Sequence, residues 1–389
     1  MQTVITAERL WDGTGLLESP VVTIEEGRIA SIATRSAVEL PRQTRVLDFP
    51  GATLAPAFFD VHTHGAAGHD LMEATPQALS AISGFLATRG VGNYLATTVT
   101  AAMDVTLKSL DGLAKLLSKP PVAGQAHPIG IHLEGPFLSH AKRGVHPPES
   151  LLDPDIATFD RLFEAAEGKV RLMTLAPELP HAAELAAHAT ARGVRISIGH
   201  SNALAAEARA VIKAGATSAT HTFNAMRPLD HREIGILGTV LTDDALFAEM
   251  ICDGIHVRPE IVKLWWRAKG PQRAILVTDA MSAAGMPDGE YFLGGFAVQV
   301  SEGRAMAGGV LAGSVLTLDR ALKNFLAFTD ASLEDGLRLL TANPAQMTGL
   351  GNQAGSLAVG RAASLVAVGK DGKLLASVID GVLAAPAKP

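Results

Sequence analysis

Residues 58–65 read FFDVHTHG, an apolar run that closes in two histidines, one residue apart, and a glycine. Seven further apolar runs follow, separated by Ala- and Leu-rich stretches of helical periodicity. This alternation is typical of repeated βα units around a parallel sheet. The predicted strands are Phe58–His62, Gly92–Thr98, Ile129–Glu134, Val170–Ala176, Val194–His200, Thr217–His221, Phe247–Cys252 and Ala274–Asp279. Eight such units in a chain of this length predict a (β/α)₈ TIM barrel, an α/β fold.

Both ends of the chain have a different pattern, with short β-rich segments and turn dipeptides such as Asp12-Gly13 and Asp371-Gly372. Each end is too short to bury a core alone, so we expect the two to pair into one small β-sandwich domain. The predicted division is sandwich over 1–54, metal-dependent barrel over 55–345, and the second part of the sandwich over 346–389. The Gly-rich residues 285–312 are predicted to form a loop or hairpin after the eighth strand.

Composition limits the class of protein. The 389 residues are 48% hydrophobic and carry a net charge of −6, which argues against disorder and against nucleic acid as a partner. The sequence has no apolar stretch of about 18 residues and no signal-peptide pattern, so we expect no membrane partner. A single cysteine, Cys252, excludes an internal disulfide and agrees with a reducing, cytoplasmic location.

The predicted strand ends carry side chains that bind borderline divalent metals. They are His62, His64, Glu134, His200, His221 and Asp279. Barrel enzymes place their active sites at these ends, and the spacing of His62 and His64 directs both rings to one face of an extended strand. The His62 and His64 pair alone is weak evidence for metal, and His200 and His221, taken singly, are equally consistent with hydrogen-bonded core positions. Together the four histidines favour a metal site. His132 lies deeper, and we interpret it as a core histidine.

These positions resemble the amidohydrolase superfamily, which has HxH on strand one, histidines on strands five and six, and aspartate on strand eight. A closer resemblance, along nearly the whole chain, is to the N-acetylglucosamine-6-phosphate deacetylase family. Its motifs are HLEGPF, KRGVHPP, GHS, THTFNAM, HREIG, DGIHV, VTDAM and GGVLAGS. The resemblance implies metal-dependent hydrolysis of N-acetyl-D-glucosamine 6-phosphate to D-glucosamine 6-phosphate and acetate, in amino-sugar catabolism and cell-wall sugar recycling.

The resemblance also implies roles for individual residues. Glu134, His200 and His221 match the principal metal ligands. Asp279 matches the general acid/base, which can also contact metal, and His146 matches a residue near the scissile carbonyl. The matching substrate-binding positions are Val145, His146, Asn224, Ala225, Arg232, Asp253, His256, Leu311, Ala312 and Gly313. We expect Arg232 and His256 to bind the substrate phosphate, with Arg232 on a loop after strand six that faces the barrel mouth. A surface arginine paired with Glu233 is the alternative for that residue. Members of the family are usually homodimers, so a homodimer is implied here.

One departure within the family bears on the metal. Some members carry amides in place of the strand-one histidines and hold one ion, whereas this chain keeps His62 and His64. The two-metal form is therefore implied, with Glu134 able to bridge. Strand four, near 174–178, has no lysine, which excludes a carbamylated-lysine bridge. We expect one or two divalent ions per subunit, zinc before iron(II).

Other functions stay open from the sequence. Deacetylation of the galactosamine epimer and hydrolysis of a ring amide would use the same kind of metal site. A barrel that had lost its metals and its activity would keep the same fold, although the intact ligand set counts against it.

Overall fold

The computed structural model describes residues 2–38 and 45–384. Met1 and the predicted end of the second sandwich segment at Pro389 lie outside them. The first strands are rich in Val, Ile and Thr, which favour the half-buried pleated surface of a sheet. These strands are β1 (Thr3–Trp11), β2 (Leu16–Glu18), β3 (Pro20–Glu25), β4 (Arg28–Thr34) and β5 (Arg45–Pro56). Strand β1 pairs in parallel with β5 and antiparallel with β2 and β3.

Eight parallel strands then form the barrel in chain order, with a small hairpin between the first two. The barrel strands are β6 (Phe58–Thr63), β9 (Val91–Thr98), β10 (His127–Glu134), β11 (Val170–Leu175), β12 (Arg195–Ile198), β13 (Ala216–Ala219), β14 (Phe247–Ile251) and β15 (Ala274–Val277). The hairpin consists of β7 (Gly65–Ala66) and β8 (His69–Asp70). A parallel bridge between Thr63 and Ala280 joins the first strand to the chain beyond the last. The predicted barrel is confirmed, and all eight predicted strands end within two residues of the observed ends.

Helices cover the outside of the barrel. They are α1 (Pro76–Thr88), α2 (Met103–Leu117), α3 (Ile156–Ala165), α4 (Ala182–Ala191), α5 (Ala205–Lys213), α6 (Gly235–Thr242), α7 (Pro259–Arg273), α8 (Leu318–Phe328), α9 (Leu333–Leu340) and α10 (Ala342–Thr348). Helix α1 illustrates how they begin: the Thr75 hydroxyl accepts the Ala78 N–H, and Pro76 occupies the first turn. Across residues 2–38 and 45–384, no helix combines the length and apolar character that a bilayer crossing requires.

The Gly-rich segment after the eighth strand is more ordered than the predicted loop or hairpin. It folds into a four-stranded antiparallel sheet of β16 (Gly289–Leu293), β17 (Phe296–Ser301), β18 (Arg304–Ala307) and β19 (Val310–Leu311). Its glycines have positive φ at the tight connections, for example Gly294 and Gly295 between β16 and β17. The sheet shares a small apolar core with Val99 and Met281 at the ends of two barrel strands. It therefore stands beside the mouth of the barrel.

The last strands return to the first sheet. They are β20 (Leu365–Val368), β21 (Leu374–Ile379) and β22 (Val382–Leu383). Strand β20 pairs antiparallel with β5, which brings both ends of the chain into one eight-stranded sheet. The predicted small β domain built from both chain ends is thus confirmed. Its predicted boundaries at 54 and 346 stay predictions.

Candidate active site

The strand ends bring six metal-binding side chains together inside the barrel mouth. All six are buried, with exposed fractions of 8% or less: His62, His64, Glu134, His200, His221 and Asp279. Glu134 is the last residue of β10 and His62 lies within β6, so the strands themselves hold these two. The side chains separate into two groups of three, each able to direct one ligand atom at a common point.

Three of the six residues follow their strands in a strained backbone conformation with positive φ. His200, His221 and Asp279 each lie two residues beyond their strand and have φ values of 46°, 27° and 49°. Residues other than glycine rarely adopt this region, at a cost of about 1–3 kcal/mol each. Such conformations persist where the surrounding structure fixes them, and they concentrate at functional sites.

The first group consists of Glu134, His200 and His221. The Nε2 atoms of His200 and His221 are 3.0 Å apart, and both face Glu134 Oε1, at 3.3 Å and 3.1 Å. The main-chain oxygen of Lys142 lies 2.9 Å from His200 Nδ1 and accepts its N–H. This hydrogen bond leaves the lone pair of His200 Nε2 directed toward the other two ligands.

The second group consists of His62, His64 and Asp279. Asp279 Oδ1 lies 3.5 Å from His62 Nε2 and 3.2 Å from His64 Nε2. Glu134 stands between the two groups, because its Oε2 is 3.2 Å from His64 Nε2 while its Oε1 faces the first group. A carboxylate in this position can contact ions in both groups at once.

The charges in the cluster stabilise one another. Burial alone would raise the pKa of Glu134, but His62 and the neighbouring imidazoles of His200 and His221 hold it well below its usual range. Burial opposes ionisation of Asp279 too, yet His62 and His64 lower its pKa. Both acids are therefore ionised at neutral pH. Conversely, the carboxylates of Asp279 and Glu134 overcome burial and raise the pKa of His64 to about 9.

The cluster fits divalent metal ions. Two nitrogen lone pairs and a carboxylate converge in the first group, and two nitrogens and a carboxylate in the second, with ligand atoms of each group within 4.8 Å. Among the described residues, the buried Nε2 of His62 has no hydrogen-bond partner. Imidazole nitrogen with carboxylate oxygen is a donor set suited to zinc and iron(II).

His146 lies beside the cluster and is held in one tautomer. Burial and the neighbouring His200 lower its pKa to about 3, so its ring is neutral. The Thr100 N–H donates to Nδ1 at 3.3 Å, and Thr100 Oγ1 lies 2.8 Å from the same atom. Because a main-chain N–H can only donate, Nδ1 is an acceptor and the ring proton is on Nε2. That N–H lies 3.7 Å from Glu134 Oε2.

A cavity of about 320 Å³ opens above the two groups and contains most of the predicted substrate-binding residues. From the predicted set, its lining includes Val145, His146, Asn224, Ala225, His256, Leu311 and Gly313. Asp253 lies behind the lining residue His256, and its carboxylate accepts a hydrogen bond from the His256 Nδ1–H at 2.6 Å. Ala312 is fully buried next to the lining.

Arg232 is the one predicted binding residue that lies away from this cavity. Its side chain is exposed on the loop before α6 and does not belong to the cavity lining. Glu233, the alternative partner of Arg232, accepts hydrogen bonds from the main-chain N–H groups of Ala205 and Gly235 instead. Its expected orientation toward the barrel mouth is thus not seen within this chain, and its phosphate role stays a prediction.

Several residues of the site were missed from the sequence. Lys142, Val99 and Leu293 line the cavity, and Glu249 contacts two metal-ligand residues from within β14. Glu249 carried a detectable signal, because one acid in the apolar run Phe247–Ile251 must be paired if it is buried. His132 was placed correctly in the core, where Thr174 lies 2.8 Å from its Nε2.

Comparisons with known proteins agree with this geometry. The model of the amidohydrolase family matches residues 53–384. The chain is 36% identical to N-acetylgalactosamine-6-phosphate deacetylase of Escherichia coli O157:H7, over 92% of each chain. It is 34% identical to N-acetylglucosamine-6-phosphate deacetylase of Bacillus subtilis, over 88% of this chain and 87% of that one. A solved mutant N-acetyl-D-glucosamine-6-phosphate deacetylase from Mycobacterium smegmatis, in complex with N-acetyl-D-glucosamine-6-phosphate, superposes with a TM-score of 0.91 at 34% identity over 99% of each chain.

Proposed function

The chain belongs to the amidohydrolase family, and we propose that it hydrolyses N-acetyl-D-glucosamine 6-phosphate to D-glucosamine 6-phosphate and acetate. The observation that carries the proposal is the cavity itself: two metal-binding groups share Glu134 at its base, with Asp279 and His146 beside them. Relatives with this activity, aligned along most of the chain, support it.

We further propose that the two groups bind zinc, with iron(II) as the alternative. Glu134, His200 and His221 would hold one ion, and His62, His64 and Asp279 a second. A bound divalent ion lowers the pKa of water to about 7 and polarises the amide carbonyl.

The protein's own groups then move the protons. Asp279 is ionised, so it can accept a proton from the attacking water. It returns that proton to the nitrogen as the C–N bond breaks, so that the amine leaves neutral. The Nε2–H of His146 faces the cavity and can donate to the oxygen on which negative charge develops. Proton transfer of this kind contributes about 10²–10⁴-fold.

The remaining substrate contacts are proposed from the cavity and from the family resemblance. We propose that His256, which lines the cavity and is oriented by Asp253, contacts the phosphate. We propose from the resemblance that Arg232, outside the lining, supplies a positive charge to the phosphate. A homodimer is proposed on the family resemblance. The single buried cysteine supports a reducing, cytoplasmic location.

A specific observation favours a second substrate. The Escherichia coli O157:H7 relative, aligned over 92% of the chain, is a deacetylase of the galactosamine epimer. The two epimers differ at one hydroxyl group, and both would place the acetamide over the same metal groups.

The test is acetate release by the purified, metal-loaded chain from the two N-acetylhexosamine 6-phosphates. We expect a higher kcat/KM for the glucosamine compound and turnover of no cyclic amide. A higher kcat/KM for the galactosamine compound would replace the proposed substrate, and ring opening without acetate release would replace the reaction.

Arg232→Ala should lower kcat/KM on the phosphorylated sugar by about 10–10³-fold, which reflects the loss of one or two charge-assisted hydrogen bonds. Equal losses on unphosphorylated N-acetylglucosamine would remove Arg232 from phosphate recognition.

A further inference from the structure

Glu249 is a carboxylate enclosed within the barrel wall. It lies in the middle of β14, is fully buried, and has apolar neighbours on both sides in sequence. A buried carboxylate without partners is very costly, so its contacts indicate why the fold keeps it.

Among the described residues, the side chain of Glu249 makes its two hydrogen bonds to two of the proposed metal ligands. Its Oε2 atom lies 3.2 Å from Nδ1 of His62 and 3.2 Å from the main-chain nitrogen of His221. Its second oxygen, Oε1, accepts no hydrogen bond from the described part of the chain. One carboxylate oxygen thus reaches a residue of each metal group.

The contact with His62 fixes the orientation and tautomer of that ring. Since the carboxylate accepts a hydrogen bond from the Nδ1–H, the lone pair of a neutral ring is on Nε2. That atom points toward Glu134 Oε1 at 3.4 Å and Asp279 Oδ1 at 3.5 Å. The ring is also packed edge-to-face against His132, with centroids 4.7 Å apart.

The contact with His221 holds a strained turn. His221 has a φ of 27°, and its main-chain N–H donates to Glu249 Oε2. The next residue, Thr222, donates its N–H to the main-chain oxygen of Glu249 at 2.8 Å. Two hydrogen bonds to one residue therefore hold the turn from which the His221 ring reaches Glu134.

We propose that Glu249 is a positioning residue that holds one ligand of each metal group, His62 by its ring and His221 by its backbone. The inference rests on the proposed metal binding but not on the identity of the substrate. A metal-binding histidine whose other nitrogen donates to a carboxylate is a recurring arrangement, and loss of that carboxylate commonly weakens metal affinity by 10–100-fold.

The experiment measures metal binding without substrate. The full chain and its Glu249→Gln variant are stripped of metal and titrated with Zn²⁺ against a competing chelator, and with Co²⁺ followed by visible absorption. We expect the variant to bind the ion of the His62 group about 10–100-fold more weakly, with a changed Co²⁺ spectrum. The ion of the Glu134, His200 and His221 group should be affected less, because His221 retains its ring contacts.

Two further variants separate positioning from folding. Asp380→Asn removes another carboxylate near a histidine, since Asp380 Oδ2 lies 3.0 Å from His127 Nε2, but away from the metal cluster. It should leave both affinities unchanged. In a His62→Gln background, Glu249→Gln should add little further loss at the second group.

Parental affinities and spectra in Glu249→Gln would overturn the inference. So would equal losses in Asp380→Asn, which would show a general effect on folding. If the parent chain releases acetate from neither sugar but Glu249→Gln still weakens metal binding, the inference stands and the proposed function is overturned.

Discussion

At the scale of single residues, the site depends on which groups carry protons. Asp279 is ionised and belongs to the second metal group, at the base of the cavity, so we assign it the proton transfers of the reaction. Asp279→Asn keeps the size of the side chain but cannot accept a proton. It should lower kcat by about 10³-fold, in line with the contribution of general acid–base catalysis. Acetate release and metal content are measured together, and the ion at the Glu134 group should stay bound.

The comparison is meaningful only if metal remains. Activity within tenfold of the parent would remove Asp279 from the acid/base role. Loss of activity together with loss of both ions would instead show that the main role of Asp279 is to bind metal.

A second residue-scale prediction concerns His146. The Thr100 N–H and hydroxyl both lie at Nδ1, which leaves the proton on Nε2. Thr100→Val removes only the hydroxyl and keeps the branched shape. We expect kcat/KM to fall by about tenfold or less, because one hydrogen bond contributes about 0.5–1.5 kcal/mol.

Nitrogen-15 NMR of the ring provides the independent readout for this prediction. The parent should show the proton on Nε2 of His146, and Thr100→Ser should restore both the spectrum and the rate. A spectrum with the proton on Nδ1 in the parent would contradict the assignment.

At the scale of elements, helix α6 is fastened at its C-terminal end by a side chain from α7. Lys269 is buried, and its Nζ donates to the main-chain oxygens of Val240 at 2.9 Å and Asp243 at 2.6 Å. Lys269→Met should lower the free energy of unfolding by about 1–3 kcal/mol at pH 7, because these carbonyls lose their donor. Urea unfolding measures the change.

The pH dependence of this contact has a defined sign. Burial lowers the pKa of Lys269 to about 8, from an ordinary value of 10.5. Between pH 8 and 10.5 the unfolded chain therefore binds more protons at this position, so its contribution to stability grows as pH rises. The difference between parent and Lys269→Met should be larger at pH 10 than at pH 7. The control is Lys263→Met. Lys263 lies on α7 like Lys269, and its substitution breaks a surface ion pair with Asp330. It should change stability by less than about 1 kcal/mol with no such trend.

Elements also explain what the sequence could predict. The barrel strands are continuous apolar runs buried on both faces, so their positions and their ligand-bearing ends were readable. The four-stranded sheet over 289–311 was not, because its strands are short and its glycines resemble a loop. The orientation of Arg232 could not be predicted for a related reason: a motif names a loop residue, but no periodicity fixes where a loop side chain points.

At the scale of the molecule, part of the β domain packs into the apolar core of the barrel, while the rest has an apolar core of its own. Trp11, Val366 and Ile379 from the terminal strands belong to the same buried cluster as Phe58 and Phe59 of the barrel. Polar contacts cross the boundary as well. Arg9 pairs with Glu334 of α9 at 3.1 Å, and the Arg338 guanidinium lies over the Trp11 ring at 5.0 Å. Neither part can lose its fold without exposing core residues of the other.

This shared core leads to a prediction about metal removal. The six proposed ligands come from five barrel strands, so bound metal ions should stabilise the native state, by about 4 kcal/mol at a thousandfold excess over Kd. Chelation should lower Tm, and the β domain and barrel should still unfold in one transition. Far-UV circular dichroism and tryptophan fluorescence, which includes Trp11 in the β domain, should give coincident curves with and without metal. Returning Zn²⁺ should restore Tm. Two transitions, with only the higher or the lower one responding to metal, would show that the barrel and the β domain unfold independently despite their common core.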